Sequence, residues 1–177
     1  WGPHEDTVHS MQTGETPPNG HPTRVYRNNR DGTFTAIGRE LGLTECWGSM
    51  SGNAADLNND GYLDVALGNG GPLMDRVEPL VIYESDGETF RNVTFSAGLP
   101  ATGKGHGINC ADLFGDGRLL ILSATGGAFP GDLLTMSVFA PKRRPGNYLA
   151  VLLTGTTSNR GAIGARLKLE AGGREQH

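Results

Sequence analysis

The chain has 177 residues and repeats itself with a period of 56, which limits its possible folds more than any other feature. Phenylalanine, asparagine, aspartate and glycine recur in one register. The matching pairs are Phe34 and Phe90, Asn53 and Asn109, Asp56 and Asp112, Asp60 and Asp116, and Gly61 and Gly117. Gly42-Leu43 and Gly98-Leu99 follow the same spacing. This agreement predicts two copies of one structural unit.

Each copy begins with a predicted β-hairpin. Asp31-Gly32 and Asp86-Gly87 lie between apolar segments, where Asp-Gly is a strong hairpin signal. The predicted strands are 25–26 and 34–37 in the first copy, and 80–83 and 90–95 in the second. The 28 glycines and the low charged fraction of 19% suit many short strands joined by turns. We therefore predict an all-β fold.

Residues 56–64 have the pattern Asp-x-Asn-x-Asp-Gly-x-x-Asp. Gly61 permits the tight turn that folds the polar groups around one point. The candidate ligands are the side chains of Asp56, Asn58, Asp60 and Asp64 and the backbone carbonyl of Tyr62. These are hard oxygen ligands, three of them carboxylates, so the predicted metal is Ca²⁺.

This loop differs from an EF-hand, whose twelfth position is a bidentate Glu between two helices. The twelfth residue from Asp56 is Leu67, and residues 62–67 are β-formers that run into a glycine-rich segment. A short strand–loop–strand calcium site fits better. The alternative is a solvated turn without metal, because Asp and Asn side chains also bind their own backbone.

The second copy of the loop, residues 112–120, has lost two of the ligand positions. Phe114 replaces the third ligand, Leu120 replaces the ninth, and Arg118 adds a positive charge. Asp112 and Asp116 remain, which is too few oxygen ligands for calcium. We predict a structural turn without metal there.

The segment 26–34 (Tyr-Arg-Asn-Asn-Arg-Asp-Gly-Thr-Phe), followed by Leu41-Gly42-Leu43, Trp47-Gly48 and the loop 56–64, resembles the FG-GAP (VCBS-type) repeat. That repeat forms β-propeller blades, as in integrin α-chains. The resemblance implies calcium at Asp56, Asn58, Asp60, Tyr62 and Asp64. It does not extend this role to the second loop, which departs from the pattern.

The run 152–166 (Leu-Leu-Thr-Gly, then Ser-Asn-Arg-Gly-Ala-Ile-Gly-Ala-Arg) resembles the start of the ASPIC/UnbV domain. That domain follows FG-GAP repeats in the cartilage acidic protein family and in many secreted bacterial proteins. The implied organisation is a long loop or partial blade over 1–23, FG-GAP-type repeats over 24–140, and a small β domain that begins over 147–177. The implied location is secreted, periplasmic or on the cell surface.

Two repeats of 56 residues do not close a propeller, since closed propellers have four to eight blades. The expected fold is thus a partial set of blades, completed by further chain, by a partner or by self-association. The net charge of −4 disfavours nucleic acid as a partner. No apolar run is long enough for a membrane span.

The cysteines leave two possibilities open. Cys46 and Cys110 are not equivalent in the repeat, so buried free thiols are expected, whereas a disulfide between blades needs an oxidising compartment. The triplet Asn92-Val93-Thr94 is an acceptor sequon that matters only in a glycosylating pathway.

The chain contains no recognisable catalytic constellation. His4 and His9 are five residues apart, whereas two zinc-binding histidines on one helix face are four apart. The Gly- and Pro-rich segment that follows them predicts a surface loop instead. No nucleophile elbow, phosphate loop or Cys-x-x-Cys motif is present. His106, Asp75 and Glu78 are the remaining titratable candidates.

The predicted function is a calcium-stabilised interaction module of the adhesion type, or an accessory subunit, that binds a protein partner or a glycan. The predicted binding loops are 1–23, 72–79 and 128–132. The alternatives are a sugar-binding propeller, with Trp1, Trp47 or Tyr83 as stacking platforms, and a subunit of a secreted enzyme.

Overall fold

The computed structural model describes residues 4–71, 77–100, 103–126, 135–142, 147–157 and 159–176. These ranges contain an α-helix, α1 (His4–Thr13), and eleven strands. The strands are β1 (Tyr26–Asn28), β2 (Phe34–Ala36), β3 (Ser49–Ala55), β4 (Asp64–Asn69), β5 (Val81–Ser85), β6 (Phe90–Asn92), β7 (Gly105–Ala111), β8 (Leu120–Thr125), β9 (Met136–Phe139), β10 (Leu169–Ala171) and β11 (Arg174–Gln176).

All the strand pairs are antiparallel, and the prediction of an all-β fold is confirmed. The central sheet has four strands in the order β3-β4-β5-β6, which is the composition of one propeller blade. A second sheet contains β7-β8-β9, and the two hairpins β1-β2 and β10-β11 form separate two-stranded sheets. Among the described helices, none is long and apolar enough to span a membrane.

The 56-residue period appears as identical strand pairing. Gly52 pairs with Leu67 in β3-β4, and their counterparts Ile108 and Ser123 pair in β7-β8. The register shift between Ser49 and Ser51 recurs between Gly105 and Gly107. The third strands also correspond, because β4-β5 and β8-β9 pair in the same register. The central and second sheets are therefore two copies of one blade.

Strand β5 is buried on both faces. Val81 and Tyr83 belong to the first core, together with Leu43 and Leu67. The alternate residues Leu80 and Ile82 belong to the second core, together with Leu99 and Ile121. Successive side chains of a strand point to opposite faces, so one face of the central sheet packs on residues that flank the hairpin β1-β2, among them Val25 and Leu43, and the other face packs on the second sheet.

The two predicted hairpins are present, although one strand is shorter than predicted. We predicted a strand over 90–95, but β6 ends at Asn92. The hydroxyl of Thr94 accepts the backbone N–H of Ile82 at 3.0 Å, and the amide of Ala97 donates to the carbonyl of Val93 at 2.7 Å. These bonds turn the chain away from the sheet. Phe95 therefore lies in a turn, whereas Val93 still donates its N–H to the carbonyl of Ile82 at 2.9 Å.

The prediction of a loop over 1–23 was wrong for residues 4–13, which form α1. Glu5 and Asp6 lie in the first turn, where negative charge favours a helix, and the Gly14 N–H donates to the Ser10 carbonyl at its end. The Ser10 hydroxyl donates to the Glu15 carbonyl and accepts the N–H of Cys46. These tertiary contacts stabilise a helix that lacks an apolar stripe. Trp1, residues 72–76 of the predicted binding loop 72–79 and the predicted binding loop 128–132 lie outside the described residues.

Candidate metal centre

The loop 56–64 joins β3 to β4 and is folded around the carboxylate of Asp56. One oxygen of Asp56 accepts the N–H of Asp60 at 3.0 Å, and the other accepts the N–H of Gly61 at 2.9 Å. The turn passes through positive φ at Asn59 (57°) and Gly61 (95°). Asn and Gly tolerate this conformation best, which suits Asn59 and Gly61 to these two positions.

Asn58 and Asp60 lie together on the inner side of the turn. The Asn58 amide nitrogen donates to a carboxylate oxygen of Asp60 at 2.9 Å and also to Glu84 of β5 at 2.9 Å. The other Asp60 oxygen accepts the N–H of Tyr62 at 2.9 Å. Sequence analysis missed Glu84, because no local pattern connects it to a loop 20 residues earlier.

Asp64 lies at the base of the loop as the first residue of β4 and is 1% exposed. Its two oxygens accept the N–H groups of Leu57 at 3.0 Å and of Ser85 at 2.9 Å. Burial raises the pKa of this carboxyl, and the nearby charges of Asp60 and Asp56 act in the same direction. The two backbone hydrogen bonds oppose the shift. Asp64 is thus a buried carboxyl group near two further carboxylates.

The donor chemistry of the loop fits a hard divalent cation, since every predicted ligand is oxygen. In the described part of the chain, however, no group of three or more His, Cys, Asp and Glu side chains is arranged to hold a metal ion. The carboxylates bind the backbone of the loop instead. Calcium would therefore have to draw these oxygens away from N–H donors, and the ligand set stays a prediction.

The second loop keeps the same fold with fewer polar groups. Asp112 accepts the N–H groups of Gly115 and Gly117, each at 2.8 Å, and these bonds lower the pKa of its carboxyl. Asp116 forms an ion pair with Arg118 at 2.5 Å. The carboxylate of Asp112 thus folds this loop, and Arg118 neutralises the carboxylate of Asp116. This arrangement is compatible with a turn that binds no metal. Its freedom from metal stays a prediction.

The two loops lie side by side beneath the C-terminal segment. The Asn59 amide nitrogen donates to the carbonyl of Gly117 at 3.0 Å. A Cβ atom at Gly117 would overlap the ring of Tyr148, and one at Gly61 would overlap the amide of Gln176. A cavity of about 670 Å³ between them is lined by residues of both parts, including Asp56, Asn59, Tyr148 and Leu169. The sequence carried no signal for this contact.

The described residues that were candidates for sugar binding or catalysis make contacts within the fold instead. The Trp47 indole donates to the Tyr83 hydroxyl at 2.7 Å, and that hydroxyl donates to Glu45 at 2.5 Å. Tyr83 is fully buried, so it offers no stacking platform for a sugar. Glu78 is also fully buried and accepts the N–H of Gly48 at 2.7 Å.

His106 has a buried Nε2 atom without a hydrogen-bond partner among the described residues. Asp75 lies outside them.

Both cysteines are free thiols, which confirms the first of the two possibilities in part, because Cys46 is buried but Cys110 is only half-buried. Cys46 is buried beside α1 and Cys110 packs against the second core, so they lie at different interfaces. The sequon is engaged in the fold, because the Asn92 amide donates to Glu45 at 2.9 Å and Thr94 is buried.

Comparison with known families agrees with this geometry. Residues 15–67 match the family model of an FG-GAP-like repeat, and this match spans the hairpin β1-β2, β3 and the loop 56–64. The chain therefore contains an FG-GAP-like repeat within an all-β fold. No curated protein matches the chain.

Proposed function

We propose that this chain is part of a β-propeller that serves as a protein-interaction module outside the cytoplasm, and that its loop 56–64 binds Ca²⁺. The FG-GAP-like repeat at residues 15–67 and the four-stranded blade support the propeller. The C-terminal residues 147–177 would begin an ASPIC/UnbV-like domain that rests on the loop face. This proposal gives the module a calcium-dependent stability rather than a catalytic activity.

The observation that carries the calcium proposal is the burial of Asp64 next to two other carboxylates. Among the described residues, no lysine or arginine forms an ion pair with Asp64. A buried anion without a compensating charge destabilises a fold. A divalent cation bound to Asp56, Asp60 and Asp64 would neutralise this cluster.

The proposed role of the ion is structural, because a single loop would supply all its protein ligands. The side chains of Asp56, Asn58, Asp60 and Asp64 and the carbonyl of Tyr62 would surround it. The ion would then fix the connection between β3 and β4, the first two strands of the central blade.

Thermal unfolding in calcium and in EDTA tests this proposal, with Asp60→Ala beside the wild type. We expect calcium to raise the Tm of the wild type, because an ion at about 100 times its Kd stabilises a fold by about 2.7 kcal/mol. Asp60→Ala should lower the Tm in calcium and remove the difference between calcium and EDTA.

Asp116→Ala is the matched control, since Asp116 is the counterpart of Asp60 in the second loop. This variant should keep the full response to calcium. A wild-type Tm that is equal in calcium and EDTA would refute the calcium site and leave the propeller assignment standing. If both variants lost the calcium-dependent rise in Tm, the result would contradict the assignment of the ion to loop 56–64.

A further inference from the structure

Glu84 of β5 contacts the candidate metal loop from outside it. Its Oε1 atom accepts the side-chain N–H of Asn58 at 2.9 Å, and its Oε2 atom forms an ion pair with Arg91 of β6 at 2.8 Å. Glu84 and Arg91 are cross-strand partners in the register of β5-β6. Both oxygens of this carboxylate are therefore engaged, one by the loop and the other by the blade.

The amide group of Asn58 is held at both of its ends. Its nitrogen donates to Glu84 and to Asp60, each at 2.9 Å, and its oxygen accepts the backbone N–H of Asp60 at 2.9 Å. A side-chain amide has N–H donors at one end and a carbonyl acceptor at the other, so these bonds decide which end is directed into the turn. The oxygen is directed into it, and oxygen is the ligand that calcium takes.

Glu84 is the more permanent of the two carboxylates that hold the Asn58 nitrogen. Asp60 is itself a candidate ligand, so its Oδ2 atom would leave this nitrogen on turning to an ion. Glu84 would then be the acceptor that keeps the amide in place. It belongs to β5, whose alternate residues are buried in the first and second cores, so its position is fixed by the blade and not by the loop.

The second copy of the repeat lacks both partners of this hydrogen bond. Phe114 is the counterpart of Asn58, and Ala140 is the counterpart of Glu84. The latter correspondence follows from the identical register of β4-β5 and β8-β9. The donor and its acceptor are thus lost together in the loop that has lost two ligand positions, whereas the carboxylate that folds the turn, Asp112, is kept.

We infer that Glu84 is a positioning residue of the metal site, which orients Asn58 so that its amide oxygen, and not its nitrogen, faces the ion. Glu84 acts through Asn58 and does not bind the ion, because Asn58 and Arg91 engage its two oxygens. This role rests on the proposed calcium site and adds to it a residue from outside the loop. Side chains that orient a metal ligand in this way typically contribute about 10- to 100-fold to metal affinity.

Isothermal titration calorimetry of the protein with Ca²⁺ tests this role. Glu84→Ala removes the acceptor, and we expect it to raise the Kd for Ca²⁺ about tenfold. Glu84→Gln keeps a side-chain oxygen that can accept the Asn58 N–H, so it should restore most of the wild-type affinity. Glu88→Ala is the matched control, because it removes an exposed carboxylate from the turn between β5 and β6. It should leave the Kd unchanged.

A double-mutant cycle with Asn58→Asp separates positioning from a general structural effect. A carboxylate at position 58 has two equivalent oxygens and no N–H, so it has no orientation for Glu84 to select. In this background Glu84→Ala should no longer raise the Kd, and the two substitutions should be non-additive. If Glu84 only stabilised the blade, Glu84→Ala would raise the Kd by the same factor in both backgrounds.

The Tm of each variant in EDTA confirms that it folds. The inference would be overturned by a Glu84→Ala variant that binds Ca²⁺ as tightly as the wild type, by a Glu84→Gln variant that binds it as weakly as Glu84→Ala, or by equal effects in the two backgrounds. A wild type that shows neither heat of binding nor a calcium-dependent Tm would overturn the calcium site itself, and this role with it. The wild type therefore distinguishes the two failures.

Discussion

Single aspartates shape both Asp-Gly loops of this protein. Asp56 accepts the N–H groups of Asp60 and Gly61, and Asp112 accepts those of the equivalent Asp116 and Gly117. The turn therefore forms from its first residue, whether or not the other ligand positions are kept. What distinguishes the first loop is the additional pair of oxygen-bearing side chains at its third and ninth positions, Asn58 and Asp64.

The charge of Asp112 should stabilise the fold above the ordinary pKa of its carboxyl. Its backbone hydrogen bonds lower this pKa below 3.8 in the folded state, so the stabilisation is present above pH 3.8 and is lost as the pH falls through the folded-state value. Asp112→Asn should lower the Tm at neutral pH. The difference in Tm between this variant and the wild type should become smaller in acid. Tm measured against pH checks this.

Glu40→Gln, at an exposed site, is the control for charge removal and should leave the Tm nearly unchanged. If the Tm of Asp112→Asn stayed below that of the wild type in strong acid, the amide would be disturbing the turn itself, and the loss of charge would not be the cause.

At the scale of elements, the packing of the central blade explains its sequence. Its strands β4 and β5 are apolar on both sides because neighbouring sheets cover both faces. Each interface also contains a leucine from the connecting segment, Leu43 in the first core and Leu99 in the second. These leucines are repeat counterparts in different surroundings.

Leu43→Ala should destabilise the protein more than Leu99→Ala. Leu43 is fully buried, and removing such a side chain costs about 2–5 kcal/mol. Leu99 borders a cavity of about 370 Å³, so its loss removes fewer contacts. Urea unfolding measures both free energies of unfolding. Equal decreases in the free energy of unfolding would show that the second interface is as tightly packed as the first.

At the scale of the whole molecule, the C-terminal segment rests on the two Asp-Gly loops. Tyr148 lies against Gly117, and its hydroxyl donates to the carbonyl of Gly115 at 3.3 Å. The segment and the blades are thus joined at the face where calcium is proposed to bind.

Gly117→Ala should release this segment, because the new Cβ atom would displace the ring of Tyr148. Limited proteolysis should then cut residues 147–157 faster than in the wild type. Gly115→Ala is the matched control, since φ is also positive there (67°, against 81° at Gly117) but no atom lies within 4 Å of its Cβ position. Equal cleavage of both variants would attribute the effect to backbone strain rather than to the contact with Tyr148.

The repeat, the hairpins and the oxygen-rich loop are local patterns, so the sequence alone determined them. Asp-Gly turns and a period of 56 residues need no knowledge of distant contacts. The tertiary structure alone decided the helix α1, because its polar residues Thr7 and Ser10 are buried by partners more than 30 residues away.

Tertiary structure also decided the surroundings of the candidate site. Glu84, Tyr148 and Gln176 reach the loops from later parts of the chain, and a local pattern cannot encode such contacts.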